Sequence, residues 1–459
     1  MGIVRLDALL AGARPDEHII AFREGEPIKL ARWRADIAHN GERLRACRIQ
    51  RGALVCKDGY WFTVGLLALI RIGASVILLP NEQPGTLRGL QNEFEALVTD
   101  SNTVEAEHKV MIEPSGSEAP PMHLGAERSQ IGFFTSGSTG EIKQVRKTLE
   151  HFALEAEALE ARWGAQLDGA QVFGTVTHQH VFGMTFRLMW PITSGRPFHS
   201  DYHIAWEPLM ASLSARAVIV SSPAQLTRLG GLTPLPAEQR PSMVITAGAP
   251  LPEAAADEAA VIFGCRPTEI FGSTEAGVIG WRDGDTPLVL WRPFGGVEIR
   301  AGTDGVLLLR SRHASDDPSN HPANEGWCEQ ADRIALIGDG RFRLEGRLDR
   351  VIKIEGKRVS LERMERAVNA LPWIAEAAIV TLGENRLYLG VVAKLAPAGE
   401  RELQRLGKFR FIRLIRRELA QAEDAAVLPR RWRFVEAMPV DGLGKRRIAD
   451  LKALLGQSA

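Results

Sequence analysis

Residues 133–143 read F-F-T-S-G-S-T-G-E-I-K. A short apolar strand, Ile131 to Phe134, is expected to run into six residues drawn only from Thr, Ser and Gly, with Lys143 following. Small residues such as Gly137 and Gly140 let a backbone wrap closely around an anion. The hydroxyls of Thr135, Ser136, Ser138 and Thr139 add donors, and Lys143 adds positive charge. In chemical terms this is a cradle for a triphosphate. It is not the P-loop, which needs Gly and Lys adjacent in G-x-x-x-x-G-K-[ST]. Here Glu141 and Ile142 separate Gly140 from Lys143. Taken alone, the segment also reads as a Ser/Gly linker without a ligand.

Outward from this segment, short β-branched runs alternate with helical patterns. Residues 171–177 (Q-V-F-G-T-V-T), 217–221 (A-V-I-V-S) and 243–247 (M-V-I-T-A) read as buried strands. Between the cradle and the first of them, Phe152, Ala156, Leu159 and Trp163 share one helical face behind Thr148 as a cap. Such alternation predicts an α/β fold with parallel-rich sheets covered by helices. Residues 60–80 are almost long enough to cross a membrane, but Arg71 interrupts them and Gly73 divides them into a helix and a strand at 75–79. No integral membrane contact is expected.

The 459 residues suffice for two or three modules. Lys plus Arg and Asp plus Glu are equal at 56 each, so total charge does not point to nucleic acid. The balance is uneven, however. Residues 350–459 hold 22 basic and 13 acidic side chains, which suggests either an acidic partner or a solvated basic face. This last part reads as a smaller α+β unit. Strands are expected at 351–354, 377–381 and 387–392, a capped helix at 360–370, and a basic helix at 400–420 that could group Arg410, Arg413, Arg416 and Arg417 on one side. Cys47, Cys56, Cys265 and Cys328 show no C-x-x-C spacing. With a start, M-G-I-V-R-L-D-A-L-L, that lacks a secretory pattern, they suit a cytoplasmic protein.

Further motifs join the cradle. T-A-G-A-P-L-P at 246–252 follows a strand, and F-G-S-T-E-A-G at 271–277 makes a tight turn carrying Thr274 and Glu275. A carboxylate facing a triphosphate suits Mg²⁺, because oxygen ligands can bridge metal and phosphate. Asp332 in A-D-R is a candidate acceptor for ribose hydroxyls. G-R-L-D-R-V-I-K-I-E-G-K-R-V-S spans 346–360, and P-V-D-G-L-G-K-R-R at 439–447 places Lys445 on a Gly-flanked turn. With these motifs in this order, nearly the whole chain resembles the adenylate-forming ligases: acyl- and aryl-CoA synthetases, luciferases and peptide-synthetase adenylation domains.

The resemblance implies a large N-terminal domain, 1–348, and a small, mobile C-terminal domain, 349–459. It also implies roles. Thr135, Ser136, Gly137, Ser138, Thr139, Gly140 and Lys143 hold the ATP phosphates. Phe271 lies against adenine and Gly248 and Ala249 meet the base edge, with Gly272 and Ser273 completing the nucleotide turn. Thr274 contacts phosphate, Glu275 binds Mg²⁺, and Asp332 and Arg347 hold the ribose. Asp349 is the hinge, Gly356 lies beside the pantetheine path, and Lys445 bridges the substrate carboxylate and the α-phosphate. In T-H-Q-H-V-F-G-M, 177–184, the H-x-x-G spacing matches the acyl-pocket motif, so His180 is expected to line that pocket and His178 to be structural. The chain departs from the family at Ile142 (Pro), Gln144 (Gly), Ala331 (Gly) and Arg350 (Asp), which puts loop shape in question more than activity.

The implied reaction joins a small carboxylic acid to ATP as acyl-AMP, then passes the acyl group to a pantetheine thiol of CoA or of an acyl carrier protein. Two stretches, 178–191 and 271–282, look like ligases of bacterial aryl-polyene and related lipid pathways, which implies an aryl or fatty acid. The alternatives are a stand-alone amino-acid adenylation enzyme, a non-catalytic nucleotide-binding relative, and a P-loop kinase or ATPase, the last disfavoured by the lysine spacing.

Overall fold

The computed structural model describes residues 2–79, 84–104, 106–125, 129–136, 142–213, 216–284, 290–315, 326–347, 351–354, 357–383, 387–421, 427–440 and 446–456, with the backbone alone at 84, 85, 135, 136, 142, 143, 351, 353, 357, 358 and 360. The chain divides into two compact units. The first comprises 1–300, 308–329 and 336–343; the second comprises 301–307, 330–335 and 344–459.

The first unit is α/β. Its six-stranded sheet runs Lys109–Met111, Ala96–Thr99, Arg51–Val55, Ser75–Leu78, Ile131–Ser136, Ile142–Lys147. Neighbours are parallel until the last pair, which is an antiparallel hairpin. Nine strands of a second sheet lie wholly in this unit. At its centre, Thr268–Ser273, Met243–Ala247, Ala217–Ser221 and Gln171–Gly174 are parallel and in register. These strands are nearly continuous runs of apolar residues, as a sheet covered on both faces requires. On one face Phe173, Ile219 and Val244 meet the helix Glu253–Phe263 through Ala255, Ala259 and Phe263.

The apolar stretch at 60–80 is the helix Gly59–Arg71 followed by the strand Ser75–Leu78. Asp58 caps the helix by accepting from the Trp61 backbone N–H at 3.0 Å. Arg71 ends the helix and pairs with Glu42 at 3.1 Å. Among the described residues, no helix is long and apolar enough to cross a membrane. The helix expected behind Thr148 is Leu149–Trp163, with the Thr148 N–H donating to His151 Nδ1 at 3.0 Å.

In the second unit, Ile374–Leu382 pairs antiparallel with Tyr388–Leu395, which pairs parallel with Arg431–Phe434. Val351–Ile354 and Lys357–Ser360 form a separate hairpin. Met364, Val368, Phe411 and Ile415 cover one face of the three-stranded sheet. Leu451 and Leu455 of the helix Ile448–Gly456 cover the other. The basic helix runs Pro397–Leu419 but is broken at Gly407, whose φ of 73° and ψ of 157° are not helical. It does not group all four arginines: Arg410, Arg413 and Arg417 are exposed, whereas Arg416 is half-buried and donates to the Pro429 carbonyl.

Candidate active site

The strands that flank the expected cradle form a hairpin. Ile131–Ser136 pairs with Ile142–Lys147 from Ile131 opposite Lys147 to Ser136 opposite Ile142. Thr135 and Lys143 therefore face each other across the ladder beside the loop. Gly137, Ser138, Thr139 and Gly140 lie outside the described residues. In a P-loop the glycine run opens a helix, whose N-terminal N–H groups bind the anion. Here the described residues on either side of the run, Ile131–Ser136 and Ile142–Lys147, are paired strands, and no helix directly follows it. The strand continues to Ser136, two residues beyond the apolar run, because the partner strand supplies ladder bonds that the sequence of one strand does not reveal.

The turns expected to hold the nucleotide lie at the carboxyl ends of neighbouring parallel strands, the position at which open α/β sheets take ligands. Gly248 and Ala249 directly follow Met243–Ala247. Gly248 has φ of 95°, and a Cβ built there would meet nothing within 4 Å. Phe271, Gly272 and Ser273 end the adjacent strand, which turns back antiparallel into Gly277–Arg282. A register shift falls between Phe271 and Gly272. Phe271 is half-buried, 5.7 Å from the ring of Trp291 and 6.0 Å from that of Phe342. Gly272 is a steric requirement, since a Cβ would stand 2.3 Å from the Gly277 carbonyl oxygen. Ser273 Oγ accepts from the Ala276 N–H at 3.0 Å, closing the turn.

Thr274 and Glu275 occupy the half-exposed tip of that turn. The Glu275 carbonyl accepts from the Ser315 N–H at 2.7 Å, which fixes the backbone. Among the described residues its carboxylate has no ion-pair partner, and there is no cluster of three or more metal-ligating side chains. One half-exposed carboxylate fits an Mg²⁺ ion whose other ligands come from phosphate and water.

The H-x-x-G segment has a packing reason. His180 precedes the short helix Val181–Gly183, and its carbonyl accepts from the Met184 N–H at 2.8 Å. A Cβ on Gly183 would lie 1.9 Å from the Thr177 carbonyl oxygen, so the chain can fold back over itself here only with glycine. His178 is fully buried. Its Nε2 donates to the Cys56 carbonyl at 2.9 Å, and Arg187 donates to its Nδ1 at 3.4 Å. Burial, then the Arg187 charge, pulls its pKa down to about 3, so it is a neutral structural group. Arg187 also donates to the Val176 and Asp201 carbonyls, each at 2.8 Å, and burial lowers its pKa to about 10. His180 itself is half-buried.

Asp332 and Arg347 come together in the second unit. Asp332 lies on Cys328–Leu336, Arg347 ends Phe342–Arg347, and their side chains pair at 3.7 Å. Asp349, Gly356 and Lys445 lie outside the described residues.

Residues 91–300 match the AMP-binding enzyme family. The 4-coumarate–CoA ligase of Rhodobacter capsulatus is 30% identical over 329 residues, covering 70% of this chain and 76% of that protein. The chain belongs to the adenylate-forming, AMP-binding enzymes. The acetyl-coenzyme A synthetase of Herminiimonas arsenicoxydans is 26% identical over 73% of this chain and 58% of its own length. The ATP-bound structure of MatB from Rhodopseudomonas palustris has the same fold, with a TM-score of 0.79, 17% identity and coverage of 97% and 98%. This member of the family is thus an AMP-forming acid–thiol ligase. It activates a carboxylic acid with ATP and Mg²⁺ as acyl-AMP and passes the acyl group to a thiol.

Sequence reasoning missed one group at this site. Lys147, Glu155, Thr185 and His313 form a fully buried polar cluster. Lys147 Nζ donates to Glu155 Oε1 and to the His313 carbonyl, each at 3.0 Å, and Thr185 Oγ1 donates to Glu155 Oε2 at 3.0 Å. A signal was present: Glu155 stands on the apolar stripe of its helix, between Phe152 and Leu159.

Proposed function

We propose that the acid is an aryl or fatty acid and that the acceptor is a pantetheine thiol, of CoA or of an acyl carrier protein. The observation that carries this reading is the wall beyond Glu275. Ala276, Val278 and Ile279 are buried, with Gly277 among them and Gly280 following, so the segment is small and apolar. An amino-acid substrate needs a partner for its ammonium group. Glu155 approaches this wall, its Oε1 lying 2.5 Å from where a Gly277 Cβ would be. Both its oxygens are already bonded, to Lys147 and Thr185. It has no free charge to offer an amine, which disfavours the amino-acid reading.

In the proposed division of labour, the hairpin residues Thr135, Ser136 and Lys143 and the loop 137–140 hold the phosphates. Gly248, Ala249 and Phe271 hold the base, and Asp332 and Arg347 hold the ribose. Bound at Glu275, Mg²⁺ would supply charge neutralisation at the phosphates. Lys445 brings a point charge between the attacking carboxylate and the α-phosphate, where both reactants are anions. Asp349 is the hinge about which the segment 349–459 turns, withdrawing Lys445 and bringing Gly356 to the site for thiol attack. His180 lines the acid pocket. The excess of basic side chains in 350–459 suits either acceptor, since CoA carries phosphates and carrier proteins are acidic.

The deciding experiment is pyrophosphate release across aryl, fatty and amino acids, followed by mass spectrometry with CoA and with a carrier protein. Aryl or fatty acids should release pyrophosphate and yield AMP and a thioester. Activity confined to amino acids would overturn the reading, and ADP as the product would point to kinase-type chemistry instead.

A further inference from the structure

The buried pair Lys147–Glu155 touches no expected ligand, yet it lies where three parts of the site meet. Lys147 is the last residue of the strand that leaves the phosphate loop. Glu155 stands nearly two turns into the next helix, Leu149–Trp163, and the two side chains are 0% and 2% exposed. Thr185, which donates to Glu155, belongs to the helical run that follows His180 and Gly183. The His313 carbonyl accepts from Lys147, and the His313 ring donates from Nδ1 to the Val278 carbonyl at 3.2 Å. Two residues on, the Ser315 N–H holds the Glu275 carbonyl. Gly277, at the foot of the same turn, comes so close that a Cβ would stand 2.5 Å from Glu155 Oε1 and 2.9 Å from His313 Cβ.

Stability does not explain such a pair. Two charges lose their hydration on burial, and apolar side chains of similar volume at the same place are commonly as stable or more so. What an ion pair adds is direction. Its hydrogen bonds fix distances that an apolar contact leaves free to slide. Lys147 and Glu155 together use three such bonds, one within the pair and one each to His313 and Thr185. They bind the base of the cradle hairpin, the acid-pocket helix and the support of the Glu275 turn to a common point. Attack of a carboxylate on the α-phosphate depends on all three, because phosphates, acid and metal carboxylate must be in place together.

We propose that Lys147 and Glu155 are positioning residues for the adenylation step, acting as a bracket that sets the cradle, the acid pocket and the Glu275 turn at their working separation. The inference rests on the adenylation reading of the site. Because the bracket meets no substrate, its loss is expressed in the transition state and not in ground-state affinity.

The test compares Lys147→Met, Glu155→Met and the double variant Lys147→Met/Glu155→Met by thermal unfolding and by acid-dependent ATP–pyrophosphate exchange. Each single variant leaves one charge buried without its partner and is expected to unfold at lower temperature. The double variant removes both charges and is expected to unfold within a few degrees of the wild type. Its kcat for exchange should nevertheless fall by about 10- to 100-fold, with the KM for ATP and for the acid within about threefold of wild type. A double variant that is as stable and as active as the wild type would overturn the bracket and leave the pair an ordinary part of the core. A matched loss in KM with kcat intact would overturn it as well. If the wild type itself shows no acid-dependent exchange, the reading beneath the inference falls, and that outcome is read from the control before any variant is compared.

Discussion

Gly183→Ala sets two effects against each other, and the structure decides which prevails. Gly183 has φ of −64° and ψ of −39°, ordinary right-handed helical values. On propensity alone, alanine in a helix is better than glycine by about 1 kcal/mol. The added methyl carbon, however, would stand 1.9 Å from the Thr177 carbonyl oxygen, 2.8 Å from its carbon and 3.2 Å from the His178 Cα. All three are backbone atoms, so no side chain can rotate away. The segment 177–183 must open by roughly 1 Å or more, and overpacking of this kind costs about 1–3 kcal/mol. The net expectation is a loss of up to about 2 kcal/mol and a lower melting temperature. The same displacement moves His180, which is proposed to line the acid pocket, and a misplacement of about 1 Å can cost on the order of 10²-fold in rate. The assay is acid-dependent ATP–pyrophosphate exchange with acid and ATP varied separately. kcat/KM for the acid should fall by about 10- to 100-fold, while KM for ATP stays within about twofold, because the cradle hairpin is not part of the displaced segment. A Gly183→Ala protein that melts at or above the wild-type temperature, with unchanged kcat/KM for the acid, would refute the steric argument.

Three other expectations bear on separate parts of the chain. Lys445→Ala should abolish acid-dependent pyrophosphate release yet retain thiol transfer from supplied acyl-AMP; equal loss of both steps would contradict the proposed division between them. Glu275→Gln should lower kcat for exchange by about 10²–10³-fold and raise the Mg²⁺ concentration needed for half-maximal rate, and an unchanged Mg²⁺ titration would remove Glu275 from the metal. Acid should weaken the first unit through its buried histidines. His199 is stacked between Phe173, at 3.7 Å, and Phe22, at 5.2 Å, and burial lowers its pKa to about 4, as burial lowers that of His178 to about 3. Folded, both stay neutral, whereas the unfolded chain takes up protons below about pH 6.5. Their contribution is therefore complete above pH 6.5 and is lost as pH falls towards 4 for His199 and 3 for His178, at about 2 kcal/mol per histidine by pH 5. Urea melts at pH 8 and pH 5 should show this difference, and His199→Phe should remove about half of it. A stability that does not change between those pH values would contradict the burial-driven shifts.

Much of the fold was legible because its signals are local. The central strands are unbroken apolar runs, and only a sheet covered on both faces makes such a run favourable. The F-G-S-T-E-A-G turn was legible because its glycines, Gly272 and Gly277, are steric necessities. What stayed hidden depends on partners distant in sequence. The strand Ile142–Lys147 reads K-Q-V-R-K after its first residue, which resembles a surface segment. Its inward face is nonetheless Val145 and Lys147, both buried. Lys147 can be buried only because Glu155 and the His313 carbonyl meet it, and His313 is 166 residues away. The break at Gly407 was hidden for a different reason, since a single glycine within a helical pattern is usually tolerated.

The cradle's place on a hairpin has a consequence for how this chemistry must be organised. A P-loop inherits its orientation from the helix it opens, and that helix dipole favours the bound anion directly. A Thr/Ser/Gly loop between antiparallel strands has no such axis, and a two-stranded ladder twists and flexes more readily than a helix. Its position must then come from what lies beneath the hairpin. One strand, Ile131–Ser136, is held by parallel pairing to Ser75–Leu78 through Val76, Ile77 and Leu78. The other, Ile142–Lys147, is the outermost of its sheet, and its tie to the rest of the site is Lys147 at the end away from the loop. On this reasoning apolar residues at both 147 and 155 would keep the sheet intact but free the outer strand to shift relative to the Glu275 turn. The cost would fall on the alignment of phosphate with acid, not on folding, which is why the double variant at 147 and 155 separates the two more cleanly than any substitution in the loop itself.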